Sequence, residues 1–159
     1  MKKIILIVIL IATAFVQKSF AQNTDNQKQL SQLLTSYYQV KEALINGNSS
    51  MAARKATTFL KTANGISNRT LPAGNHDALI KDVATISDSK DLEKQREVFV
   101  NFSANMYVLA KSLKLTAEPV YYQYCPMKKA YWLSSDKAIK NPYYGSTMLS
   151  CGQVHETIQ

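Results

Sequence analysis

Four sulfur-bearing residues fall into two short motifs near one end of a 159-residue sequence that has only two cysteines and one tryptophan. Cys125-Pro126-Met127 sets a thiol and a thioether two residues apart in a proline-stiffened turn, and Trp132 follows closely. Met148 and Cys151 stand three apart, and Gly152 lets the backbone fold tightly around whatever the sulfurs hold. Two thiolates and two thioethers are soft donors, and soft donors select Cu(I) over harder divalent ions. The thioethers carry no proton, whereas each thiol must lose one before it binds a metal. His155, four beyond Cys151, supplies a nitrogen if the last segment is helical. Neither cysteine belongs to a Cys-x-x-Cys or Cys-x-x-His pair, so the zinc signatures are missing. The competing use of Cys125 and Cys151 is a disulfide. It would close a loop of about 27 residues and stabilise the fold by about 3 kcal/mol. Met127 and Met148 would then be fillers against the tyrosines. On the chemistry of an exported chain alone, the disulfide stands ahead of the metal.

The elements that must carry these motifs follow from periodicity. Leu30, Leu33, Leu34, Tyr37, Tyr38, Leu44 and Ile45 repeat at three and four, the spacing of a helix with one buried face, and Asn46-Gly47-Asn48 ends it. Ser49 or Ser50 is the expected cap of a second helix facing inward through Met51, Ala52, Ala56, Phe59 and Ala63. A short third helix starts near His76 and buries Leu79, Ile80, Val83 and Ile86. Asp88 or Ser89 is expected to cap the fourth and longest, along which Leu92, Phe99, Phe102, Met106, Leu109 and Leu113 keep the helical period. The fold class this predicts is mainly α, a four-helix up-and-down bundle. After Leu115 the pattern changes to alternation. Val120 to Cys125 and Ala130 to Ser134 read as two strands of a hairpin across Pro126 to Lys129, and Asn141-Pro142-Tyr143-Tyr144-Gly145 reads as a turn. Residues of about 120–155 are thus a cap carrying Cys-Pro-Met and Met-x-x-Cys-Gly, and since a lone hairpin is marginal in water, the cap must pack on the bundle.

Residues 1–21 have the form of a cleavable secretory signal. Lys2 and Lys3 precede the apolar run Ile4 to Val16, and Ser19 and Ala21 are the small residues before the cut. That run is too short for a hydrocarbon core of about 30 Å. A mature chain of residues 22–159, one domain, is expected in the periplasm or secreted, with no stable membrane span. Lys2, Lys3 and Lys18 leave with the signal, so 16 basic residues face 11 acidic ones and the net charge falls from +8 to +5. The lysines are scattered, with no basic stripe or reading motif, so nucleic acid is not an expected partner. With no nucleophile elbow, no Gly-rich phosphate loop, no paired carboxylates and only two histidines, catalysis is not expected either.

Tyr122-Gln-Tyr-Cys-Pro-Met-Lys-Lys-Ala-Tyr-Trp-Leu-Ser134, with Ile139 to Gly145 and Met148 to Gly152, resembles the C-terminal signature of domain-of-unknown-function family 3347. Tyr37-Tyr38 and Phe99 to Tyr107 are similar to helices of the same family. Such domains occur as exported single-domain proteins of Gram-negative bacteria. They also occur fused to the periplasmic adaptor subunits of copper and silver efflux systems. The Tyr124-Cys125-Pro126-Met127 element is similar to short heavy-metal-binding modules of those systems, although Lys128 stands where they carry histidine. The resemblance therefore implies a metal rather than a disulfide: Cu(I), or Ag(I), on Cys125, Met127, Met148 and Cys151, with His155 as a further candidate. It also implies sequestration or hand-over toward efflux components. The alternative is a non-catalytic interaction module in which a Cys125–Cys151 bridge fixes the tail.

Overall fold

The computed structural model describes residues 25–66, 70–72 and 74–159. The expected signal, residues 1–21, and Gln22 lie outside them. Four helices are present among the described residues: α1 (25–45), α2 (Ser49–Asn64), α3 (Asn75–Asp88) and α4 (Leu92–Ser112). Every inward position expected of α1 except Tyr38 is buried, and in α4 Phe99, Phe102, Met106 and Leu109 have no solvent exposure. Helix α1 reaches further back than the apolar run, because the Gln27 side chain donates to the Lys114 carbonyl at 2.7 Å and ties its first turns to the chain after α4.

The caps differ from expectation by one to three residues. Asn48, not Ser49 or Ser50, caps α2, its side chain accepting the Met51 amide at 2.9 Å. Asp91, not Asp88 or Ser89, caps α4, accepting the amides of Glu93 and Lys94. Asp88 is instead the last residue of α3, and the Ser89 hydroxyl accepts the Asp91 amide. Helix α3 packs closely on both α2 and α4, while α2 and α4 lie further apart and meet through the Phe59 and Phe102 rings.

The tail forms a three-stranded antiparallel sheet, larger than the expected hairpin. Strands β1 (Val120–Cys125) and β2 (Ala130–Ser134) have the expected bounds, and β3 (Gln153–Ile158) adds to the free side of β1, giving the order β2-β1-β3. Pairing of Tyr122 with Leu133, Gln123 with Trp132 and Cys125 with Ala130 sets the faces. Gln123, Cys125 and Trp132 lie on one, and Tyr122, Tyr124 and Tyr131 on the other. Side-chain hydrogen bonds hold the tail to the helices. The Tyr37 hydroxyl accepts the Leu133 amide at 3.0 Å and meets Ser103 Oγ at 2.8 Å. Arg96 donates to the carbonyls of Pro142 and Leu44 at 3.0 and 2.8 Å. Tyr107 donates to Glu156 Oε2 at 2.8 Å.

Candidate functional site

The two cysteines meet. Cys125 ends β1 and is fully buried, while Cys151 lies half-exposed in the loop before β3, and their sulfurs are 3.6 Å apart. The turn after β1 closes over Cys125, and the Lys128 amide donates to its sulfur at 3.4 Å. Lys129 completes that turn with a left-handed backbone, φ +55°. The thiol of Cys151 is held above its ordinary pKa, first by its hydrogen bond with Cys125, then by burial and by the neighbouring sulfur's charge; a hydrogen bond with the Met127 backbone acts the other way.

Asn141 shapes the loop that delivers Cys151. Its side-chain amide donates to the Cys151 carbonyl at 2.8 Å, its side-chain oxygen accepts the Tyr143 amide at 2.8 Å, and its backbone amide donates to Leu149 at 2.9 Å. The residue is completely buried. Sequence reading placed only a turn there; the Asn-Pro dipeptide was the available signal, since Asx side chains bond their own following amides. Arg96, which grips the Pro142 carbonyl, was also missed, and nothing in the helical periodicity singles it out. Gly145 follows from it: φ is +56°, and a β-carbon would sit 2.6 Å from both an Arg96 nitrogen and the Ile45 carbonyl.

Two of the aromatic residues in the sulfur-bearing segments wall the site. Trp132 is fully buried against Gly152, and Tyr143 packs edge-on to it at 6.0 Å while its hydroxyl donates to the Tyr131 carbonyl. The Tyr124 ring lies on the opposite sheet face against Tyr131, at 4.5 Å; only its carbonyl adjoins Gly152. Tyr144 lines a cleft of about 360 Å³ with Glu93, Arg96, Lys128 and Thr147.

Met127 is 63% exposed at the tip of the β1–β2 turn, and Met148 is half-buried where the short 3₁₀ helix Gly145–Thr147 ends, its carbonyl accepting the Cys151 amide at 3.1 Å. Both flank the sulfur pair in the chain. His155 does not join it. The segment is a strand rather than a helix, and the imidazole lies 5.3 Å from the Tyr131 ring and 6.2 Å from Tyr122, on the face away from Cys125. A bulge between Tyr122 and Gln123 leaves His155 without a partner in β1. No group of three or more His, Cys, Asp and Glu side chains suited to a metal occurs among the described residues.

The model of the family described as "Protein of unknown function (DUF3347)" matches residues 33–118, more than half of the sequence, and the chain belongs to that family. The matched stretch runs from within α1 to just before β1, so it covers the helices and stops short of both sulfur motifs. No curated protein and no solved structure matches.

Proposed function

We propose that this member of the DUF3347 family is an exported, non-catalytic protein that holds a soft ion, Cu(I) or Ag(I), for sequestration or for hand-over to components of an efflux system. The helices, in up-and-down order, are the scaffold. Residues 1–21 act as the export signal, and the mature protein works in the periplasm. One observation carries the reading: Cys125 and Cys151, far apart in sequence, present their sulfurs 3.6 Å apart. Twice a metal–sulfur bond of about 2.3 Å exceeds that gap, so one ion can touch both sulfurs with neither moving away. Burial of Cys125 beneath the turn, with Trp132 and Tyr143 nearby, limits water at the site. Met127 and Met148 supply thioethers from the flanking segments. His155 has no part in the set.

Reduced protein should take one Cu(I) from a chromophoric chelator. Cys125→Ser and Cys151→Ser should each abolish uptake, Met127→Ala and Met148→Ala should weaken it less, and His155→Ala should leave it unchanged. Wild type that competes no better than the double serine variant refutes the copper reading. The same 3.6 Å contact favours a second reading, an interaction module stapled by a Cys125–Cys151 disulfide. Protein isolated from a periplasm without reductant and carrying no free thiol, together with failure to bind Cu(I) after reduction, would establish it.

A further inference from the structure

The two sulfurs touch but do not share the same access. Cys125 has no solvent exposure, lies under the Pro126–Lys129 turn, and accepts the Lys128 amide. Cys151 is half-exposed, between exposed Ser150 and a glycine that puts no side chain beside it; Leu149, two residues earlier, is 41% exposed. An electrophile arriving from solvent can line up behind the Cys151 sulfur, but cannot reach that of Cys125 unless the turn opens. Thiol–disulfide exchange requires such access, because the attacking sulfur must approach along the axis of the bond it breaks.

We propose that the pair exchanges with low-molecular-weight disulfides in a fixed order, Cys151 reacting first and Cys125 resolving. This rests on the reading of the two residues as a reduced pair at the centre of the site. In the first step the Cys151 thiolate attacks one sulfur of the disulfide RSSR. A Cys151–SR bond forms, the reagent's S–S bond breaks, and one RS⁻ leaves and takes up a proton. In the second step the Cys125 thiolate, already 3.6 Å from Cys151 Sγ, attacks that sulfur and expels the second RS⁻. The sulfurs close to about 2.05 Å. The protein gives up two electrons and two protons, and the reagent leaves as two thiols. The product has no thiolate for a soft ion, and a metal-loaded pair has no free sulfur to attack, so small disulfides and the metal compete for one site.

Glutathione disulfide is the probe, and the metal-free reduced protein is the substrate. Intact mass should show wild type losing two hydrogens with no lasting adduct. Cys125→Ser should keep one glutathione on Cys151, and Cys151→Ser should react at least about tenfold more slowly. Wild type quenched early should carry its transient adduct on Cys151 by peptide mapping. An adduct mapped to Cys125 overturns the order whatever the variants do, and a wild-type adduct that never resolves overturns closure. Circular dichroism of both variants before exposure identifies a serine variant that reacts only because it has unfolded, and the wild-type mapping then decides. Cu(I) competition by the same reduced protein separates the two ideas. Failure to compete with exchange intact removes the copper reading alone, whereas competition with no exchange removes this proposal alone. Wild type oxidised by the probe should no longer compete for Cu(I).

Discussion

A β-carbon at Gly152 would stand 2.8 Å from Trp132 Cη2 and 2.9 Å from the Tyr124 carbonyl, on a backbone with φ +152°. Trp132 is completely buried and the carbonyl belongs to the central strand, so neither can give way. Gly152→Ala should therefore cost about 1–3 kcal/mol and push Cys151 away from Cys125. The expected outcome is a lower denaturation midpoint together with slower closure of the pair by glutathione disulfide. An unchanged midpoint would mean that the loop relaxes freely. The meeting of Cys125 and Cys151 was legible in the sequence, because soft donors are scarce and lie in two turn-rich segments. The fate of His155 was not. Val154, Thr157 and Ile158 favour a strand, but a strand needs an open edge, and that edge is provided by β1, more than twenty residues earlier.

At the scale of elements, α4 supplies the wall against which the sheet rests. Phe102 sits at its centre, with ring centroids 5.2 Å from Tyr37, 4.8 Å from Phe59 and 5.8 Å from Phe99, and no exposure. Phe102→Ala should cost about 3–5 kcal/mol, read as a lowered denaturation midpoint with an unchanged dependence on denaturant. Loss of less than about 1 kcal/mol would show that neighbouring rings fill the space. The helices were legible because a single apolar face repeats without interruption. Their caps were legible only to within a few residues: Asp88, Ser89 and Asp91 are all capable acceptors, and the loop between α3 and α4 chooses among them. The third strand escaped notice because it is an edge strand, mostly exposed, with few apolar residues to mark a buried face.

For the whole molecule, buried ionisable groups set opposite responses to alkali. Burial pushes Tyr122 up to about 12 from an ordinary value of 10.0. Burial also raises Tyr37, against the hydrogen bonds from Ser103 and the Leu133 amide, and Tyr143 is raised as well. Each folded pKa is above the unfolded one, so their contribution is complete below pH 10 and is lost as pH climbs through 10 toward 12. Lys41 works the other way. Burial holds its ammonium, beside Ser134 Oγ at 3.2 Å, Glu42 at 3.7 Å and the Tyr38 ring at 5.2 Å, below the ordinary 10.5, and stability rises with pH until the unfolded lysine also deprotonates near 10.5. Denaturation midpoints across alkaline pH should rise and then fall. Lys41→Met should remove part of the rise, and Tyr122→Phe part of the fall; a Tyr122→Phe profile identical to wild type would contradict the assignment.

The position of β1 in the middle of the sheet has a consequence in time. A chain emerging in order presents Cys125 first, and the β1–β2 hairpin can close as soon as Ser134 is free. Cys151, which completes the sulfur pair, arrives 26 residues after it, followed by the strand that takes the remaining edge. During that interval Cys125 lacks its partner sulfur and the sheet has one open strand edge, which invites wrong partners. Pairing of β3 with the open edge of β1 is thus the last event in completing the tail, and it follows the helices, which have all been made by then.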